Sequence, residues 1–206
     1  MRAIWTGAIG FGLVNIPVRI FSATQDSNLD LDMLDKKDHA RIRFKRVNEE
    51  TGREVEWSNI VKAYNDNGKY VVVTDVDFEK ASPEKSTIIE IMEFVDGADI
   101  DSIFYETPYY LEPQKSGVKA YILLREALKK SGKVGLGNFV MRNKEALCIL
   151  KPMDDVIVLN KIRFAQEIRN VNEINVPGKA SIKPGEMQMA QALISQLTGK
   201  FDISKY

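Results

Sequence analysis

Val14, Ile16, Val18 and Ile20 alternate with Asn15, Pro17, Arg19 and Phe21, and this period of two predicts a half-buried β-strand. Pro17 has no N–H to give, so the strand is expected at an edge, or with an unpaired side turned outward. The apolar run before it, 3–14, is broken by Thr6, Gly7, Gly10 and Gly12 and leads into no small-residue cleavage pattern. It reads as a second strand rather than as a secretion signal. Segments 41–47 and 53–57 flank Asn48-Glu49-Glu50-Thr51-Gly52 and predict a hairpin with glycine in its loop. Further short strands are expected at 70–74, 87–95, 108–111, 136–142, 146–150 and 156–159. Strands this short, separated by turn signals, point to a barrel or a sandwich.

Two segments carry helical spacing instead. Over 116–130, Ala120, Tyr121, Leu123, Leu124, Ala127 and Leu128 form an apolar arc opposite Lys119, Arg125, Glu126, Lys129 and Lys130, and Gly132 stands where a C-terminal glycine belongs. The second helix is expected over 183–199, with Pro184 in its first turn and Gly199 at its end. Its residues Met187, Ala190, Ile194 and Leu197 make a narrow seam that packs on the chain's own core or faces a partner. A linker-like stretch, 170–183, precedes it. The whole is mainly β with helices, an α+β chain, and its 206 residues suit one domain over 1–206.

Composition adds little until position is considered. No stretch of about 20 apolar residues occurs, which excludes a membrane-spanning helix. The single cysteine, Cys148, excludes an internal disulfide and any Cys-rich zinc module, and fits a reducing compartment. Basic and acidic side chains number 29 each, and a zero balance speaks against a nucleic-acid binder. Segregation reverses that reading. Residues 75–101 hold nine acids and two bases, whereas 115–151 hold nine bases and two acids. Arg41-Ile42-Arg43-Phe44-Lys45-Arg46 carries four cations and no acid. In a strand, Arg41, Arg43 and Lys45 share one face at a spacing of about 7 Å, close to that of phosphates along one DNA strand. Such a row either contacts phosphates or protects an edge strand from aggregation.

Catalytic chemistry finds few candidates. His39 is the only histidine and sits in a polar loop, so no histidine pair exists to bind a metal. Cys148, between Leu147 and Ile149, reads as a buried small hydrophobe. Asp30, Asp32, Asp35 and Asp38 lack the glycine and terminal glutamate of a calcium loop. Gly7, Gly10, Gly12 and Gly132, Gly135, Gly137 precede no helix that could cradle a phosphate, and are expected at bends or bulges. Neither enzyme activity, a cofactor nor a metal is expected.

The opening, Met-Arg-Ala-Ile-Trp-Thr-Gly-Ala-Ile-Gly-Phe-Gly-Leu-Val-Asn-Ile-Pro-Val, closely resembles the start of the bacterial Ku proteins. The likeness continues in family order at 38–46, 90–95, 109–113, 120–128, 141–145 and 164–169, across essentially the whole chain. It implies a Ku-type β-barrel core with a projecting β-ribbon arm, placed at 41–62, and a C-terminal helix at 183–199. In that family two subunits form a homodimeric ring threaded by a double-stranded DNA end. The ring serves double-strand break repair by non-homologous end joining and recruits the ATP-dependent DNA ligase of the pathway (ligase D). It has no catalysis of its own. The resemblance puts DNA contact on Arg41, Arg43, Lys45, Arg46, Arg53 and Lys62 of the arm, and on Arg142 and Lys144 at the barrel. It implies a cytoplasmic, nucleoid-associated protein. Many relatives carry a cysteine near the positions held here by Val47 to Glu50, and this chain has none there. The family also runs on past the position of Tyr206, and ligase recruitment is usually assigned to that further part. The competing class is a β-barrel protein–protein interaction module with a non-specific basic surface.

Overall fold

Two antiparallel strands, β1 (Trp5–Phe11) and β2 (Val14–Ser22), open the chain. The turn between them is tight, with Gly12 at φ +55°. The computed structural model describes residues 1–206 apart from 26, 28, 82–85, 143, 179 and 206; Glu84 and Lys85 of the acidic run and Lys179 of the linker lie outside the described residues. After β2 comes a long excursion holding β3 (Lys62–Asp66), β4 (Lys69–Val73) and a short helix α1 (Asp75–Ala81). The chain continues through β5 (Ile88–Asp96), β6 (Tyr105–Pro113), α2 (Val118–Ser131), β7 (Lys133–Met141), β8 (Lys144–Met153) and β9 (Val156–Ile162). Residues 1–168 form one compact unit and 169–206 a second, which contains α3 (Pro184–Leu197).

Seven strands close into a barrel in the order β1-β2-β6-β9-β8-β7-β5. Only the β1–β5 seam is parallel. The period-two pattern drives closure. Ile16, Val18 and Ile20 of β2 are fully buried and meet Ile9, Ile89, Leu111, Cys148, Leu150, Ile157 and Leu159 inside. Each such side chain taken from water contributes about 2 kcal/mol. A second, smaller cluster lies on the other face of β8, where Ile149 packs with Val134 and Ile162. Burial on both faces explains why 146–150 reads as a continuous apolar run.

β2 is therefore not an edge strand. Pro17 pairs with Ala8 of β1, while the ladder to β6 begins one residue later, at Val18. The Pro17 carbonyl accepts the Gln114 N–H at 2.8 Å, so the missing N–H falls where that ladder has ended. The glycine-rich segments serve mainly close approach. Gly137 faces a bulge between Ile91 and Glu93 of β5, and a Cβ there would strike the Glu90 carbonyl.

α2 buries Tyr121, Leu124 and Leu128, which alone complete an i, i+3, i+7 stripe. Leu123, expected in the arc, stays 70% exposed. Gly132 caps the helix at φ +67°, its N–H donating to the Leu128 carbonyl at 3.0 Å. The Tyr121 hydroxyl donates to the Leu111 carbonyl and accepts from the Ile157 N–H, both at 2.6 Å, bridging the seam between β6 and β9. In the second unit, Glu186 accepts the Lys183 N–H at 2.9 Å to start α3, and none of its residues is buried. No helix among the described residues is long and apolar enough to cross a membrane.

Candidate nucleic-acid interface

Strand directions give the barrel two distinct ends. The end of β2, the start of β5 and the β7–β8 turn lie at one end, because each neighbouring pair is antiparallel except the parallel β1–β5 seam. The β1–β2 and β8–β9 turns and the connection through α2 lie at the other. The excursion from residue 23 to 87 thus leaves and rejoins the barrel at the end that carries Arg142 and Lys144. The excursion that carries one group of candidate residues is rooted at the end that holds the other.

Within the excursion, the segment around residues 41–47 is the middle limb of two tight turns. On one side Arg41 bridges Leu34, and the Ile42 N–H donates to the Met33 carbonyl at 3.0 Å. Asp35 and Asp38 side chains accept the Lys37 and Ala40 N–H groups, fixing the turn around His39, whose φ is +58°. On the other side Val47 bridges Glu54, with the Val55 N–H donating to the Arg46 carbonyl at 2.8 Å. Asn48 Oδ1 accepts from both the Glu50 and Thr51 N–H groups and closes that turn. The expected hairpin is present, but as a single bridge rather than two full strands. Among the described residues, 43–45 make no backbone hydrogen bond. Residue 57 opens a 3-10 turn, Trp57–Asn59, instead of ending a strand.

Side-chain pairing takes place here without a ladder. Arg41 pairs with Asp32 at 3.2 Å and Lys45 with Glu54 at 2.6 Å, while Arg46 stacks over Trp57 at 4.4 Å. Arg43, between the two pairs, makes no ion pair among the described residues, nor does Arg53. Lys62 begins β3 and lies 5.5 Å from the Phe78 ring of α1. β3 and β4 form a hairpin around Asn67 and Gly68, both at positive φ, and nearly all of its residues are exposed.

At the barrel rim, Arg142 takes φ +51° in the β7–β8 turn and Lys144 starts β8. They line a cleft of about 500 Å³ with Tyr109, Lys161, Glu106 and Glu167. Lys161 pairs with Glu106 at 3.0 Å. Sequence reasoning missed Lys161, and nothing in its strand signals it. It also counted the cations of 41–46 without their acidic neighbours: residues 29–57 hold seven bases and eight acids. Cys148 is fully buried inside the barrel, where desolvation pushes its thiol well above the usual range. No three His, Cys, Asp or Glu side chains among the described residues converge as a metal would need.

Residues 10–190 match the sequence model of the family described as "Ku70/Ku80 beta-barrel domain". The whole chain is 41% identical over 210 residues to the "Non-homologous end joining protein Ku" of Coxiella burnetii, covering 77% of that protein. It is 39% identical to the protein of the same name from Bacillus subtilis, covering 67% of it. The Archaeoglobus fulgidus protein of that name is 41% identical over 94% of this chain and 78% of its own length. A closed seven-stranded barrel, a family match over most of its length and relatives at this identity agree: the chain belongs to the Ku family of non-homologous end joining proteins.

Proposed function

We propose that two copies of this chain form a ring that receives an end of double-stranded DNA without reading its sequence. The observation that carries this is the shared end of the barrel: the excursion with its cationic limb and the Arg142–Lys144 turn project from the same rim. In this reading the 41–62 ribbon is the arm of a core spanning 1–206, and 183–199 is its C-terminal helix. Arg41, Arg43, Lys45, Arg46, Arg53 and Lys62 meet phosphates from the arm, and Arg142 and Lys144 from the barrel. Phosphate contacts fix position without carrying sequence information, which suits a protein that must accept any break. A ring needs positive potential only on its inner wall, so a net charge of zero is no obstacle. The assembly acts as a scaffold on nucleoid DNA and hands the end to the ATP-dependent ligase of the pathway. It assigns no catalytic step to the chain itself.

One observation favours a different reading. The near balance of charge over 29–57 suits an edge protected against aggregation on a protein–protein module. Duplex binding at about 150 mM salt by the parent, by Arg41→Ala/Arg43→Ala and by Arg142→Ala/Lys144→Ala separates the two. The proposal expects binding by the parent and weaker binding by both variants, equally on unrelated sequences. Absence of binding by the parent leaves the module reading in its place.

A further inference from the structure

Each end of the cationic limb is already occupied by a carboxylate of the same chain. Arg41 meets Asp32 from the preceding limb, and Lys45 meets Glu54 from the following one, each pair nine residues apart in sequence. Arg41 and Lys45 are two of the three residues expected from sequence to share a phosphate-contacting face, and Arg43, the third, stands between them in the chain. All four side chains are well exposed, at 79% and 72% for Arg41 and Asp32, and 69% and 55% for Lys45 and Glu54. No packing holds them, so the pairs can be exchanged. A carboxylate presents guanidinium or ammonium with the same kind of charged oxygen acceptor that a phosphate does.

We infer that Asp32 and Glu54 are place-holders for DNA phosphates, setting the affinity and salt dependence of the arm. The inference rests on the arm being the DNA surface. Before DNA arrives, the two carboxylates hold Arg41 and Lys45 in ordered positions on the limb. When phosphates take over, each carboxylate is released beside the polyanion and recovers a cation from solution. That uptake offsets part of the counterion release from DNA, so binding is weaker and less salt-sensitive than the bare cations dictate. An arm of moderate affinity can slide along a duplex rather than lock at its first contact. Specificity for a threaded end over the open side of a duplex then depends on ring closure, not on the strength of one arm.

The test is Asp32→Asn/Glu54→Gln, which keeps the shape and hydrogen-bonding reach of both side chains and removes their charge. Affinity for linear duplex is measured from about 50 to 200 mM salt by fluorescence anisotropy. An exposed pair shifts an equilibrium by up to about fivefold, so the double variant is expected to bind roughly tenfold tighter at the lower salt. Its slope of log K on log salt is expected to be steeper by about one to two units. Glu49→Gln/Glu50→Gln, in the exposed turn of the same limb, removes the same net charge without touching either pair, and is expected to change affinity by less than about threefold. Equal gains from both double variants make the effect one of net charge alone and overturn the inference. Unchanged or weaker binding by Asp32→Asn/Glu54→Gln overturns it as well. Arg41→Ala/Lys45→Ala separates this from failure of the underlying reading: if that variant binds as the parent does, the arm is not the DNA surface at all.

Discussion

Replacing Tyr121 by Phe removes one hydroxyl at the point where α2 locks the barrel. That oxygen donates to the Leu111 carbonyl and accepts from the Ile157 N–H, both at 2.6 Å, and the two residues are paired across the seam of β6 and β9. Leu111 and Ile157 are 1% and 0% exposed, so water does not reach either group once the hydroxyl is gone. An orphaned buried backbone group costs about 1–3 kcal/mol. The two strands can draw together and recover part of one bond, which leaves a net loss of about 2–3 kcal/mol. For a unit of this size each kcal/mol lowers the midpoint by about 2–4 °C, so Tyr121→Phe is expected to melt about 5–10 °C below the parent. Circular dichroism at pH 7 reads it directly. A midpoint within about 1 °C of the parent refutes the bridging role of the hydroxyl, because the phenyl ring and its packing are retained.

Burial also fixes the sign of an alkaline transition. Desolvation holds the Tyr121 phenol above its ordinary 10.0 and the Cys148 thiol above its ordinary 9.0, whereas the unfolded chain ionises at those values. The stability these groups contribute is complete below about pH 9 and is lost as pH rises further, so the urea midpoint should fall between pH 9 and 11. It should fall less in Cys148→Ala/Tyr121→Phe; identical pH profiles for that variant and the parent contradict the assignment. The proposed ring needs a second copy, since one ribbon cannot pass along a duplex and also return around it. Light scattering should give twice the 23.3 kDa chain mass, and a strict monomer with and without DNA excludes a ring. The four cations of 41–46 in two subunits, with Arg142 and Lys144, offer about twelve charges; if half engage phosphates, log K falls on log salt with a slope near −5. Arg41→Ala/Arg43→Ala should flatten that slope by up to about four units, and an unchanged slope puts the DNA elsewhere.

Much of the barrel is legible because its physics is local. Alternation at Ile16, Val18 and Ile20, and the apolar run of 146–150, report burial directly. Closure is not local: Pro17 reads equally as an edge strand or as an unpaired side, and only the register with β6, whose ladder ends beside it, decides for the second. Two elements of the excursion carry local signals apart from the apolar pattern. Asn67-Gly68 is a two-residue hairpin turn, with both residues at positive φ. Thr74 and Asp77 exchange side-chain and backbone hydrogen bonds as a capping pair for α1. The cationic row was plain in sequence. Its neutralisation was not, because Asp32 and Glu54 reach it only through the pairing of separate limbs.

The central claim is that duplex DNA enters through an end and is held by a closed ring, and topology tests it more directly than affinity. An open basic patch meets the same phosphates on linear and circular DNA, whereas a ring closed before binding can be entered only at an end. The decisive measurement compares binding to one duplex in linear form and closed into a circle, at about 150 mM salt. The account predicts binding to the linear form, occupancy that grows with duplex length, and retention through a salt wash when both ends are capped after loading. Equal binding to the closed circle contradicts it.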